Sequence, residues 1–496
     1  MSDHKEKSGS RDYIQIRENL EYNVTSSGEV EQIADDYGYD ISSIDSVEKK
    51  SAGYVPIREK LGYGIASGGG NIITQILATF LTSYLTDSVG IAVAAVGTMM
   101  LVTRIVDACS DVIMGSVVDK THMKTGKARP WLLISAPLIA IGLVITFSAN
   151  PDWGEGAKIA YMYFSYIFLN CICFTMFMVS HTAMLSRISL DGHERQKMAS
   201  INQIINQFGG LAVTTFMVAL VARFGWQITA VIYGAATMIC ILIGFFLTRE
   251  HIDADESGEV KATPVPLRES LPAMLKNKYF FMLAAMFILI LMQAAGPGSM
   301  TYYYCNNVVG NLGLLSFISA CGIVPMIIIN IFIPSLAKKF GRKKLLVYSA
   351  LVTAFGFLLC GLFSNNLPII YLACVLKGFG SGVLFGCGFA MAPDVVDYGE
   401  YKTGVRSEGL VNSCVSFGQK VGLGLGPAIA SWVLAAGGYN GSTVAQSESA
   451  VNAIKFGFGY YGMILCILIA VIAFFMDLDK TQDAVRVTLE ARHQEN

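Results

Sequence analysis

Twelve long apolar stretches constrain this chain more than any other feature. They fall at about 65–86, 91–117, 130–149, 158–186, 199–223, 226–248, 278–304, 312–337, 345–363, 367–393, 407–436 and 456–476. A helix of about 20 apolar residues crosses the hydrocarbon core of a bilayer, where open sheet edges and exposed loops cannot satisfy their backbone groups. The stretches therefore predict an all-α membrane protein of twelve transmembrane helices. Composition agrees: 53% of the 496 residues are hydrophobic and 15% are charged, against about a quarter charged in soluble domains. With a net charge of -1 and no sustained basic run, no nucleic-acid partner is expected. The partner these features imply is the lipid bilayer.

Lys and Arg are concentrated on alternate loops. One side holds Lys120, Lys124, Lys127 and Arg129, then Arg187, Arg195 and Lys197, then Lys338, Lys339, Arg342, Lys343 and Lys344, then Lys402 and Arg406. Cytoplasmic loops retain the positive excess, so these lie inside, as do both termini of a chain in the cytoplasmic membrane. Residues 1–58 are polar and carry no apolar signal segment, and read as a cytoplasmic tail. Ten of the eleven cysteines lie within the predicted spans, with Cys305 at a span end, which suits packed thiols rather than a disulfide framework.

The chain divides into a tail (1–58), six spans (59–248), a charged, Pro-containing linker (249–277), six more spans (278–478) and a second tail (479–496). A basic, Gly-containing turn follows the second span (Gly115-x-x-x-Asp119-Lys120, then Gly126-Lys127-x-Arg129) and recurs after the eighth (Lys338-Lys339-Phe340-Gly341-Arg342-Lys343-Lys344). Two six-helix halves with a central site, one rocking against the other, are the plan of the major facilitator fold.

A carboxylate inside a span costs about 2.5–3.5 kcal/mol on insertion scales, so acidic residues there mark interior ion or proton paths. Asp107 and Asp111 lie four apart on one face of the second span, with Ser110 beside them. Two carboxylates and a hydroxyl are oxygen ligands for a hard cation, or a proton site. Arg104, three residues before Asp107, offers an internal ion pair instead. Lys420, deep in the eleventh span, is either a structural counter-ion that brings spans two and eleven face to face or an electrostatic link between cation and solute sites. Neutral polar residues recur at Asn71 and Gln75, at Asn202, Gln203, Asn206 and Gln207, at Gln293, and at Asn412 and Ser416. Such side chains either join helices or contact a hydroxyl-rich solute. Gly296-Pro297-Gly298 is a candidate hinge in the seventh span, or else its outer end. No nucleophile–base pair is visible, so an enzyme is not expected, nor a cofactor beyond the coupling ion.

Several motifs together resemble the glycoside-pentoside-hexuronide:cation symporter family. They are Tyr63-Gly64, Tyr84-Leu85-Thr86-Asp87, Arg104-x-x-Asp107-x-x-x-Asp111-x-x-x-Gly115, Gly126-Lys127-x-Arg129-Pro130-Trp131, and Asp394-x-x-Asp397-Tyr398-Gly399-Glu400-Tyr401-Lys402-x-x-x-Arg406-x-Glu408. The resemblance runs from about Lys60 to the end of the twelfth span. It implies a cation site at Asp107, Ser110, Asp111 and Thr175, with Lys420 and Arg104 in coupling and Na⁺ held at Asp107 and Asp111 if Na⁺ is the ion. Ser110 stands where melibiose-permease members carry Asn, which leaves Na⁺ and H⁺ both open. The resemblance also implies a cytoplasmic gate of breakable charge pairs among Arg195, Asp394, Asp397, Glu400 and Arg406.

The solute site departs from that pattern. The family's first- and fourth-span carboxylates are Asn71 and Met178 here, and its Tyr, Trp and Arg positions hold Phe174, Thr182 and Gln203, with Phe385 at a tenth-span Trp position. The expected pocket is therefore Asn71, Gln75, Phe174, Met178, Thr182, Gln203, Phe385 and Ser416, with Asn71 and Gln203 as direct contacts. The implied function is cation-coupled symport of a sugar or glycoside. An amphiphilic, lipid-like solute and a non-transporting solute sensor are the alternatives.

Overall fold

A computed structural model describes residues 55–477 except 122, 124, 190–191, 252–276, 404–407, 442 and 444. Both tails beyond these limits, most of the linker between the halves, and Arg406 of the expected gate lie outside the described residues. What is described is almost wholly helical. The first half holds α1 (Ile57–Thr79), α2 (Val93–Lys120), α3 (Arg129–Thr146) and α4, which joins Glu155–Tyr166, a π-helical stretch Ile167–Phe174 and Thr175–Ile188. The long run Gly192–Leu247 breaks at Gly225, where φ is 76° and ψ 172°, into α5 and α6. The second half holds α7 (Lys278–Tyr303), α8 (Leu314–Phe340), α9 (Arg342–Leu362), α10 (Leu367–Thr403), α11 (Glu408–Ala436) and α12, built of Glu448–Lys455, a π-helical turn Phe456–Tyr460 and Tyr461–Phe475.

Among the described residues, nine helical stretches are long and apolar enough to cross a membrane, with Lys197–Leu247 counted once. The first and eleventh helices are not among the nine, because glycines and polar side chains dilute their apolar content. Those same small residues explain how they pack. Lipid tails supply no hydrophobic drive between helices, so association depends on close backbone approach. A Cβ on Gly209 of α5 would lie 2.4 Å from the Gly68 carbonyl oxygen of α1, and one on Gly422 of α11 would lie 2.5 Å from the Ile288 carbonyl oxygen of α7. The first and fifth helices of each half are thus pressed together in the same way.

The duplication extends to the ends of α1 and α7. Both run into a π-helical turn, Tyr84–Ser88 and Tyr304–Val309, and both reach a left-handed glycine six residues after the tyrosine: Gly90 (φ 79°) and Gly310 (φ 72°). Asp87 and Asn307 occupy matching positions. Pro297 sits inside the continuous helix Lys278–Tyr303, so the departure from α-geometry comes at the π turn and not at the Gly-Pro-Gly sequence.

Hydrogen bonds join the halves at the end opposite the basic loops. Thr86 Oγ1 lies 3.0 Å from Tyr303 Oη, Tyr439 Oη donates to Asp87 Oδ1 at 3.0 Å, and Ser316 Oγ donates to the Thr214 carbonyl at 2.8 Å. At the basic end, Glu250 accepts backbone N–H groups from Lys127, Ala128 and Arg129 at 2.8–3.0 Å, which ties the loop before α3 to the end of α6.

Candidate functional site

The two carboxylates of α2 face α11. Lys420 Nζ bonds the Asp111 carboxylate and lies 3.9 Å from Asp107 Oδ2, and Arg104 Nη1 lies 3.6 Å from the same Asp107 oxygen. Arg104 is thus an i,i+3 partner of Asp107, and Lys420 is a counter-ion from the other half. Asp107 is 8% exposed, a burial that an ionised carboxylate tolerates only with such partners. The contact requires α2 and α11 to come close, and Gly424 permits it, since a Cβ there would lie 2.5 Å from Arg104 Cγ.

The third side of this cluster comes from α4. Its π-helical stretch ends at Thr175, whose N–H bonds the Asn170 carbonyl five residues back. Thr175 Oγ1 donates to Asp107 Oδ1 at 3.1 Å and lies 3.4 Å from Ser110 Oγ, which itself donates to the Asp107 carbonyl at 2.9 Å. π-helical turns inside α-helices recur at functional sites because they re-aim side chains that a regular helix would place elsewhere. The result is two carboxylates, two hydroxyls and an ammonium in one cluster, an oxygen donor set suited to a hard monovalent cation or a proton.

A separate cavity of about 320 Å³ lies between the halves, at the lower end of small-molecule sites. Gln75 and Thr79 of α1 and Gln207 and Gly210 of α5 form one wall, and Gln293, Thr301, Ser319, Met326, Lys377, Ser381 and Phe385 are among the residues of the opposite one. Gln293 Nε2 donates to Ser381 Oγ at 3.3 Å, while its Oε1 is buried with no partner. Amides and hydroxyls facing one space can bind a polyhydroxylated solute, and Phe385 offers a ring face.

Residues 62–480 match the family model described as MFS/sugar transport protein. The chain belongs to this family. It is 30% identical to the isoprimeverose transporter of Lactiplantibacillus pentosus over 89% of this chain and 93% of that one. It is 27% identical to the glucuronide carrier protein homolog of Escherichia coli K12 over 88% and 96%. Among solved structures, the nucleoside transporter NupG superposes with a TM-score of 0.60 at 16% identity, over 84% of this chain and 98% of that one. An inward-facing bacterial homolog of the lysosomal transporter Spinster gives 0.64 at 13%, over 84% and 95%. These two show the fold alone. Family membership makes the chain a multi-pass membrane transport protein of the major facilitator fold and not an enzyme.

Within this MFS/sugar transport protein, the residues expected to line the pocket separate into two groups. Gln75 and Phe385 lie in the cavity wall. Asn71, one turn from Gln75, instead donates to the Asn206 carbonyl at 2.6 Å and joins α1 to α5. Gln203 and Ser416 are exposed, four residues from Gln207 of the wall and Lys420 of the charge cluster respectively. On α4, Phe174 packs against Phe177, and Met178 and Thr182 are exposed, with Thr182 Oγ1 bonding the Met178 carbonyl at 2.8 Å; none of the three belongs to the cavity wall.

The expected gate residues lie at the basic end. Arg195 Nε donates to the Ser189 carbonyl at 2.6 Å, Asp394 pairs with Arg342 of its own half, and Glu400 is buried. Most of the opposite wall escaped the sequence reading, Thr301, Ser319, Ser381 and Lys377 among its polar residues. Lys377 is an intramembrane charge in the run Tyr371–Gly378, and the rule that singled out Lys420 applies equally to it.

Proposed function

We propose that the chain is a secondary active symporter of the cytoplasmic membrane, coupling inward movement of Na⁺ or H⁺ to uptake of a sugar or glycoside by alternating access. The observation that carries this reading is the bond between Lys420 of one half and Asp111 of the other, beside Asp107 and Thr175. An ion site that belongs to both halves ties its occupancy to how they sit against one another. The names of the relatives, an isoprimeverose transporter and a glucuronide carrier homolog among them, support a sugar-like solute, as does the amide and hydroxyl lining of the cavity.

In this mechanism Lys420 neutralises the two carboxylates when no coupling ion is present. An arriving Na⁺ takes oxygen ligands from Asp107, Asp111, Thr175 and Ser110, or a proton neutralises a carboxylate directly, and either competes with the ammonium for the same oxygens. Freed from Asp111, α11 moves relative to α2, which alters the cavity between the halves. The coupling is reciprocal: if the ion raises solute affinity, the solute raises ion affinity by the same factor. Arg195, Asp394, Asp397, Glu400 and Arg406 act as the cytoplasmic gate, in charge pairs that break and re-form on each cycle.

Proteoliposomes carrying the protein, screened with labelled mono- and disaccharides under imposed Na⁺ or H⁺ gradients, test the reading. Accumulation driven by one gradient is the expected result. Binding without flux would instead identify a sensor, and indifference to every sugar would redirect the search to amphiphilic solutes.

A further inference from the structure

Among the described residues the cavity wall contains one charged side chain, and it is a cation. Lys377 of α10 places Nζ 4.3 Å from the ring centroid of Phe357 and 4.7 Å from that of Phe458. No carboxylate among the described residues lies within ion-pair distance of it, and the wall includes neither Asp nor Glu. Its stem is accommodated by Gly356 of α9, where a Cβ would come within 2.9 Å of Lys377 Cγ. Two aromatic faces attract an ammonium but leave its three donors without acceptors. A cation at membrane depth is otherwise paired with an acid or a backbone carbonyl.

A second observation points the same way from the opposite polarity. Gln293 is 4% exposed, and its Oε1 is buried without a hydrogen-bond donor although the side chain belongs to the same wall. A buried unpaired acceptor costs about 1–3 kcal/mol. The cavity thus presents an ammonium with no carboxylate partner among the described residues, with Gln75, Gln207, Ser319 and Ser381 also in its wall, and the Gln293 amide leaves an acceptor unpaired beneath the surface.

We propose that Lys377 is an anion-recognising residue of the solute site, and that the preferred solute is a glycoside bearing an acidic group. Its carboxylate or sulfonate sits on the Lys377 ammonium beside Phe357 and Phe458, while ring hydroxyls meet the amides and hydroxyls of the wall, Gln75, Gln207 and Ser319 among them. The charge-assisted bond supplies an acceptor that the two ring faces do not. A neutral glycoside leaves the ammonium unsatisfied, so the site discriminates by what the wrong solute fails to pair.

This inference rests on the symporter reading, and the test separates the two. Binding of matched methyl glycosides to the purified full chain is measured by calorimetry: the gluco and galacto forms with CH₂OH, carboxylate or sulfonate at C6. Uptake of the same compounds into proteoliposomes is followed under Na⁺ and H⁺ gradients. The expected result is that one acidic form binds at least about tenfold more tightly than its neutral counterpart, roughly the discrimination of a single charged contact. Which acid wins distinguishes carboxylate from sulfonate. Lys377→Met should bring the ratio close to one while still binding the neutral form, and Lys377→Arg should keep it. A wild-type protein that shows no acidic preference overturns the inference whatever the variants do, as does a preference that survives Lys377→Met. In either case gradient-driven uptake of neutral sugar leaves the symporter reading standing. Failure to bind or accumulate any of the six compounds counts against both.

Discussion

Lys420 of α11 reaches across the midline between the halves and bonds Asp111 of α2, with its Nζ also 3.9 Å from Asp107. Removing one partner of such a group leaves the other buried and unpaired, which costs about 3–5 kcal/mol. Asp107→Asn should abolish concentrative uptake in proteoliposomes, lowering gradient-driven accumulation by at least about tenfold. Downhill exchange should be less affected, because the cavity wall does not include Asp107. Undiminished accumulation in the variant would remove Asp107 from the coupling site.

Gly209 tests the packing that holds the first half. A Cβ there meets the Gly68 carbonyl oxygen at 2.4 Å, and backbone cannot rotate away as a side chain can. Gly209→Ala should destabilise the protein by about 1–3 kcal/mol, visible as a lower unfolding temperature of the detergent-solubilised protein. An unchanged midpoint would mean that α1 and α5 separate without cost.

Tyr439 and Asp87 close the end opposite the basic loops, 3.0 Å apart. Tyr439→Phe deletes a hydrogen bond to a charged acceptor, worth about 1.5–3 kcal/mol, and should shift the population towards opening at that end. In a chain whose native cysteines have been replaced, Thr301→Cys in the cavity wall should react with a membrane-impermeant thiol reagent at least about fivefold faster in the Tyr439→Phe background. Equal rates would show that the bond contributes nothing to closure.

Glu194 provides a pH test at the basic end. Burial opposes its ionisation, but hydrogen bonds from Lys60, Lys197 and the Val55 N–H outweigh burial and hold its pKa at about 2. A carboxyl whose pKa is depressed on folding stabilises the protein above its unfolded pKa of about 4.5, and that contribution is lost as pH falls towards 2. The unfolding temperature should therefore drop between pH 5 and pH 3, and drop less in Glu194→Gln. Parallel curves for the two proteins would exclude Glu194 as a source of acid sensitivity.

Much of the candidate ion site was legible because its signal is local. Helical spacing alone puts Asp107 and Asp111 on one face, and the cost of a charge in lipid says that the face is interior. Lys420 followed from the same cost. The solute cavity was less legible, since amides that bind solute and amides that join helices are chemically identical. Asn71 and Gln75 lie on the same face of α1, yet Asn71 bonds the Asn206 carbonyl while Gln75 stands in the cavity wall. Lys377 meets the same rule as Lys420, since both are charges within an apolar span.

By itself the sequence determined the solvent this chain folds in, its helical class, the duplicated order of its elements and the depth of its charges. All of these depend on apolar length and on the period of a single helix. The tertiary structure alone decided which charges meet and which polar groups share a space. A helix carries its own periodicity but not the identity of its neighbour. In a bilayer nearly every face is apolar, so the choice of neighbour falls to small residues such as Gly209 and Gly424, and to one π-helical stretch that turns Thr175 towards Asp107.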